Sequence, residues 1–206
     1  MRKLHQTVLS LAGLALAAGT ALSAAPPAGA AIAALMDFPA QFSEGFIVNA
    51  NSGMCLQPSS DDFFGNGDLV VQRPCNGTVA QAWELVPIGR KTFIDSGPDI
   101  THDAYRIVNA ASGLCLDDRD GVSSNGATVQ QWACNTTSTT MQWASWAIRS
   151  DSINLLIANR RAMLNRDTFV TLEVASGSTA DNAPVQLFDI PGDPPAAQRW
   201  VYNPVG

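Results

Sequence analysis

This 206-residue sequence is poor in charge, and poorest in positive charge. Only 15 % of its residues are charged, with 12 Lys and Arg against 18 Asp and Glu, for a net charge of −6. A protein that tracks phosphates needs clustered basic residues, so the composition argues against a nucleic-acid partner. Long amphipathic helical stretches are missing as well. Gly, Ser, Thr, Asn and Pro are spread evenly along the chain instead, as many short strands and turns require. Histidine beyond the N-terminal segment is reduced to His102, near Asp99 and Asp103, and no Gly-x-Ser-x-Gly elbow occurs. A hydrolytic triad therefore lacks its parts. Core formers are not scarce: five Trp, eight Phe and regular Val, Ile and Leu runs argue against intrinsic disorder.

Residues 1–30 read as a secretory signal peptide. Arg2, Lys3 and His5 form a basic head, Val8 to Gly19 is an apolar run, and small residues end in Ala28-Gly29-Ala30. That run is too short to span a bilayer. No Cys lies near the cleavage point, and the C-terminal Trp200 to Gly206 carries no apolar tail. The expectation is a released, soluble, extracellular chain with a charge near −8, because ten basic residues then face eighteen acidic ones. Export also permits disulfides. Residues 31–44 read as a linker.

The rest repeats itself. Phe46-Ile47-Val48-Asn49-Ala50-Asn51-Ser52-Gly53-Met54-Cys55-Leu56 matches Tyr105-Arg106-Ile107-Val108-Asn109-Ala110-Ala111-Ser112-Gly113-Leu114-Cys115-Leu116 at a spacing of 60. A weaker third copy runs from Asn154 to Leu164. Each is an apolar run, a polar turn and a second apolar run, which reads as two strands joined tightly. Downstream blocks start at Val70, Val129 and Val185, and each leads to a tryptophan: Trp83, Trp143 and Trp200. One such unit cannot bury a face alone, whereas three can share a core, with these tryptophans as wedges.

The Gln-x-Trp triplets at Gln81 and Gln198, the Ser-Gly-x-Cys-Leu turns and the Val-Gln-x-Trp-x-Cys strand resemble the ricin B-type (R-type) lectin family. The resemblance covers roughly Gly45 to Asn203. It implies an all-β fold, a β-trefoil of three repeats at about 45–89, 104–146 and 147–203, within a domain spanning 45–206. Extra length falls in Arg90 to Ala104 and Asp167 to Ala183, expected as enlarged surface loops. Four cysteines allow three connectivities. Cys55 and Cys75 occupy the same two repeat positions as Cys115 and Cys134, so the repeat logic picks those two pairs. Met163 and Ile190 are expected at the matching positions of the third repeat. With all four cysteines assigned, no thiol nucleophile or metal site is expected, and no cofactor.

A sugar offers an apolar face of C–H bonds and a rim of hydroxyls. It calls for an aromatic plane to stack on and a carboxylate or amide that accepts neighbouring O–H groups. The resemblance implies these at Asp117, Gln130 and Trp132 in the second repeat. Thr140 stands there where the family has Asn, and Met141 replaces the Gln of Gln-x-Trp. In the third repeat the matching residues are Asn165, Gln186 and Phe188, with Ala197 at the Asn position. This weaker site has an amide in place of the carboxylate. The first repeat has Gln57, Val71, Arg73 and Ala80, with neither ring nor carboxylate, and reads as scaffold.

Asp117-Asp118-Arg119-Asp120-Gly121 lacks the spaced oxygens and distal Glu of a calcium loop and reads as a solvated turn. Asn76-Gly77-Thr78 and Asn135-Thr136-Thr137 match the N-glycosylation pattern and equally fit polar turns. The resemblance thus implies a secreted, non-catalytic lectin module binding a glycan, galactose-like or a xylan or galactan chain, without membrane insertion. The other reading is a protein-interaction scaffold with degenerate repeats, favoured by the enlarged loops and the missing Asn positions.

Overall fold

The computed structural model describes residues 44–60, 65–93, 100–121, 124–148, 151–163 and 166–205. The expected signal peptide, and the linker up to residue 43, lie outside them. Twelve strands and five single-turn 3-10 segments make up the described chain, with no α-helix among the described residues.

The first repeat holds β1 (Gly45–Asn49), β2 (Cys55–Pro58), β3 (Val70–Arg73) and β4 (Ala82–Phe93). The second holds β5 (Ile100–Asn109), β6 (Cys115–Asp118), β7 (Ala127–Trp132) and β8 (Trp143–Ile148). The third holds β9 (Asp151–Met163), β10 (Arg166–Val174), β11 (Val185–Asp189) and β12 (Trp200–Pro204). Antiparallel pairing runs β1–β4–β5–β8–β9–β12 and back to β1, closing a six-stranded barrel that leaves no free edge. The hairpins β2–β3, β6–β7 and β10–β11 join that ring through the pairings β1–β2, β5–β6 and β9–β10 and cap it. This is the β-trefoil.

The core explains the repeated residues. Ile47, Ile107 and Ile157 point inward from the first strand of each repeat. Leu56, Leu116 and Leu172 do so from the second, and Trp83, Trp143 and Trp200 from the last. Each indole N–H donates to the carbonyl of its own repeat's leucine, at 3.0, 2.9 and 3.0 Å, so none of these three buried indoles is left unsatisfied. The polar turn is equally determined. Asn109 is fully buried; its Nδ2 donates to Ala80 O at 2.9 Å, and its Oδ1 accepts from Ala111 N and Ser112 N. Asn49 repeats the arrangement with Ala197 O, Asn51 N and Ser52 N. These amides also tie each repeat to its neighbour. Gly53 and Gly113 both sit at φ 69°, where a Cβ would be strained, which accounts for glycine in both turns.

Disulfides join Cys55 to Cys75 and Cys115 to Cys134, each with Cα atoms 5.0 Å apart. Closing loops of this size stabilises the fold by about 3 kcal/mol each in the chain-entropy account.

The third repeat departs from the sequence alignment. Across the barrel, Asn159 pairs with Trp143 as Asn49 pairs with Trp200 and Asn109 with Trp83. Six positions later the first two repeats have Cys55 and Cys115, but the third continues its β9–β10 hairpin and reaches the matching position only at Thr171. Thr171 pairs with Phe188 as Cys115 pairs with Trp132 and Cys55 with Arg73. Met163 therefore does not fill the cysteine position; Thr171 does. Of the stretch Asp167 to Ala183, the part up to Val174 is not a surface loop, because β10 puts Val170, Leu172 and Val174 into the core, whereas residues 175–182 form a turn-rich surface segment. Arg90 to Ala104 likewise extends the β4–β5 hairpin in strand pairing, apart from residues 94–99, which lie outside the described ones.

Candidate functional site

Each hairpin presents the same four positions on one face, because residues two apart along a strand share a side. In the second repeat, Asp117 pairs with Gln130 and Cys115 with Trp132. Asp117 and Gln130 are each 6 % exposed, whereas Trp132 is 43 % exposed, so a buried carboxylate sits beside an open ring. An open cleft of about 710 Å³ brings together Asp117, Gln130, Trp132 and Thr140 with Asn66 and Arg119.

Both carboxylate oxygens of Asp117 are held. Gln130 Nε2 donates to Oδ2 at 2.8 Å and Thr140 Oγ1 donates to Oδ1. Thr140 has one hydroxyl proton, which the carboxylate must receive, so Ser138 Oγ donates in turn to Thr140 across 2.6 Å. Each carboxylate oxygen keeps lone-pair capacity for a further donor.

Thr140 and Met141 are explained together. In the first and third repeats the amides of Gln81 and Gln198 donate to Gln57 Oε1 (2.9 Å) and Glu173 Oε2 (2.7 Å). Met141 has no N–H to give, and its sulfur only accepts from Asn135 N at 3.3 Å. The Thr140 hydroxyl, at a position where the other repeats have Ala80 and Ala197, supplies the missing donor. The pair Thr-Met thus replaces the pair Ala-Gln with the carboxylate held just as firmly.

In the third repeat the residue opposite Gln186 is Glu173, not Asn165. Asn165 lies outside the described residues. Glu173 is 8 % exposed; its Oε1 accepts from Gln186 Nε2 at 3.0 Å and its Oε2 from Gln198. Phe188 stands 36 % exposed at the Trp132 position. The third hairpin therefore carries a full carboxylate, amide and ring, where the sequence had suggested only an amide acceptor.

The first repeat has the same frame and different chemistry. Gln57 accepts from Gln81, Val71 offers no amide, and Arg73 occupies the ring position, with its Nη2 on Ser59 O at 3.3 Å. At these positions, among the described residues, the first hairpin has neither an aromatic ring nor a carboxylate.

A wall of each cleft was not foreseen, because it comes from the preceding repeat. Gly67 N donates to Gln131 O and Ala133 N donates to Asn66 Oδ1, so the loop before β3 lies along the end of β7. A Cβ on Gly67, at φ 90°, would lie 3.4 Å from the Trp132 ring. Asn125 and Gly126 do the same for β11 through Asp189 N and Leu187 O. The only hint in the sequence is the Asn-Gly pair at corresponding places in repeats one and two.

Two further expectations concern turns. Asn76 and Asn135 each accept, through Oδ1, the N–H and hydroxyl of the threonine two residues on, so both tripeptides form polar turns. Among the described residues no three His, Cys, Asp or Glu side chains gather as a metal site.

Several known proteins share this architecture. A designed threefold-symmetric protein, ThreeFoil, matches with a TM-score of 0.63 at 24 % identity over 79 % of this chain and 99 % of its own. An exo-β-1,3-galactanase from Clostridium thermocellum matches with a TM-score of 0.60 at 23 % identity. That match covers 82 % of this chain but only 31 % of the galactanase. The Macrolepiota procera ricin B-like lectin, in complex with lactose, matches at 0.57 and 17 % identity over 80 % of this chain and 97 % of its own. Identities this low establish the fold. No curated protein matches the chain in sequence. The model of the ricin-type β-trefoil lectin domain-like family matches residues 92–188, which reach from the end of β4 through β11. Three repeats closing one barrel, with the disulfides at the repeat positions, give the chain the β-trefoil fold, and over residues 92–188 its sequence is similar to the ricin-type β-trefoil lectin domain-like family.

Proposed function

We propose that this chain is a secreted, non-catalytic carbohydrate-binding module whose main site is the cleft of the second repeat. One observation carries the reading: Asp117, its two oxygens fixed by Gln130 and Thr140, lies beside the exposed Trp132 ring in an open cleft. The ring stacks on the apolar face of a pyranose, and the carboxylate accepts neighbouring hydroxyls in charge-assisted hydrogen bonds. Glu173, Gln186 and Phe188 form a second site of the same chemistry in the third repeat. The first repeat serves as scaffold.

Glycoside hydrolysis takes two carboxyl groups flanking one bond, and Asp117 is the one carboxylate among the described residues lining the cleft. That favours binding over catalysis. A galactose-type sugar, or a galactan or xylan chain, is the ligand class we assign. The lactose held by the Macrolepiota procera lectin supports it, as does the occurrence of this fold within a galactanase. The paired disulfides fit an oxidising, extracellular setting, in keeping with the signal peptide read in residues 1–30.

A shallow single cleft binds weakly, with Kd on the order of 1 mM, or about −4 kcal/mol. Titration calorimetry with galactose oligosaccharides is the test. Saturable binding that free galactose competes away is expected, and Thr140→Val should weaken it about fivefold, near 1 kcal/mol for one lost hydrogen bond. If no glycan binds, the protein-interaction scaffold takes its place.

A further inference from the structure

We infer that Asn66 of the first repeat is a specificity-determining residue of the second-repeat cleft, donating to an oxygen of the sugar unit next to the one stacked on Trp132. The inference rests on the carbohydrate reading above and goes beyond it by extending the site to a second sugar unit and across a repeat boundary. It starts from the wall of the cleft. Gly67 N donates to Gln131 O at 2.9 Å, which lays this loop along the end of β7. A Cβ on Gly67 would stand 3.4 Å from the Trp132 ring, so the loop closes one edge of the indole. Asn66, one residue earlier, borders the place of the stacked sugar and faces what continues from it. The cleft, at about 710 Å³, is in the range that takes a drug-sized ligand, and a single pyranose does not fill it.

The chemistry follows from the atoms left to act. Ala133 N donates to Asn66 Oδ1 at 2.7 Å. A backbone N–H needs an acceptor, which fixes the orientation of this amide and leaves Nδ2, a donor only, without a partner among the described residues. The matching walls of the other two hairpins offer no such donor. In the third, Asn125 holds Asp189 N through Oδ1 at 2.8 Å, but its Nδ2 already donates to Asp189 Oδ2 at 3.0 Å. In the first, Asn182 N donates to Gln72 O as Gly67 N does to Gln131 O, so Asp181 stands at the place of Asn66. A carboxylate has no N–H to give, and the residue it would hold is Pro74, which has none either. In the second repeat that residue is Ala133, with a backbone N–H to hold and no side-chain acceptor to occupy Nδ2. The ring and hydroxyl oxygens of the next sugar unit all accept, and they suit a group that can only donate. Asp117 on the floor serves the hydroxyl protons of the stacked unit.

The test is titration of the whole chain with galactose and β-1,3-linked galactobiose, and likewise with xylose and xylobiose, followed through the Trp132 indole N–H resonance. In the pair that binds, the disaccharide should bind about fivefold more tightly than the monosaccharide, the effect of one added hydrogen bond. Asn66→Ala should bring that ratio to about one. Ala133→Asn, which leaves Asn66 in place and gives its Nδ2 an uncharged acceptor where Asp189 serves Asn125, should lower the ratio as well. Where Asn66→Ala removes binding altogether, Ala133→Asn carries the comparison. A disaccharide no tighter than its monosaccharide in the wild type, or a ratio left where it was in the variant so read, would overturn the inference and leave the lectin reading standing. Loss of all binding in both variants does the same, since Asn66 would then support the wall and not hold a second unit. Failure of all four sugars to bind the wild type overturns both.

Discussion

Asp117→Asn is expected to abolish detectable glycan binding at the second repeat while leaving the fold in place. The substitution keeps the side chain's shape and removes its charge. One of the two atoms that accept from Gln130 Nε2 and Thr140 Oγ1 becomes an N–H2 group, so a donor meets a donor in a buried position. The hydroxyls of the sugar lose their charged acceptor as well. Hydrogen bonds to charged groups contribute about 1.5–3 kcal/mol, and each 1.4 kcal/mol is tenfold in affinity. Binding that starts near millimolar falls out of the measurable range. Calorimetric titration reads the loss, and denaturant unfolding checks that the fold is retained with a cost of about 1–3 kcal/mol for the buried mismatch. Retained affinity would show that Asp117 does not hold the sugar.

The largest effect on stability is expected from Trp143→Ala. Trp143 is 1 % exposed, packs in the shared core and ties Leu116 O to the barrel through its indole at 2.9 Å. Truncation leaves a large cavity and an unpaired carbonyl, at a cost of about 3–5 kcal/mol. For a domain of this size, 1 kcal/mol corresponds to roughly 2–4 °C, so the melting temperature should drop by about 10 °C or more. Because Leu116 immediately precedes Asp117 on β6, the cleft should loosen with it. Thermal unfolding followed by circular dichroism measures the drop. Trp132→Ala, at an exposed ring, provides the contrast and should leave the melting temperature nearly unchanged. A loss below about 1 kcal/mol at Trp143 would mean that the three tryptophans are not the wedges of the core.

The two tryptophans also show how far the sequence could be read. Trp132 was legible as the ring position of the second hairpin and Trp143 as core, because the second repeat keeps its cysteines, its Ser-Gly turn and its strand spacing, so each position could be counted from a marker. The third repeat has no cysteine to count from. Its β9–β10 hairpin lengthens the turn, so taking Met163 as the cysteine position and stepping two residues on arrives at Asn165, whereas the chain reaches the carboxylate position only at Glu173. An apolar alternation around Val170, Leu172 and Val174 was present to correct the count, but the extra length had been read as loop. Asn66 was hidden for another reason. It belongs to the first repeat in sequence and to the second repeat's cleft in space, and no linear spacing connects it with Trp132. The exchange of Ala-Gln for Thr-Met was legible only as a departure; which atom donates to Asp117 had to come from the folded hairpin.

The central claim is that a sugar lies against Trp132 in the second-repeat cleft. Titration of a galactose oligosaccharide followed through the tryptophan indole N–H resonances tests it most directly, since Trp132 is exposed while Trp83, Trp143 and Trp200 are locked onto carbonyls of the core. The account predicts that the Trp132 indole signal moves saturably while the three core signals stay within the scatter of a ligand-free dilution series. A saturating titration in which the Trp132 signal does not move would contradict it.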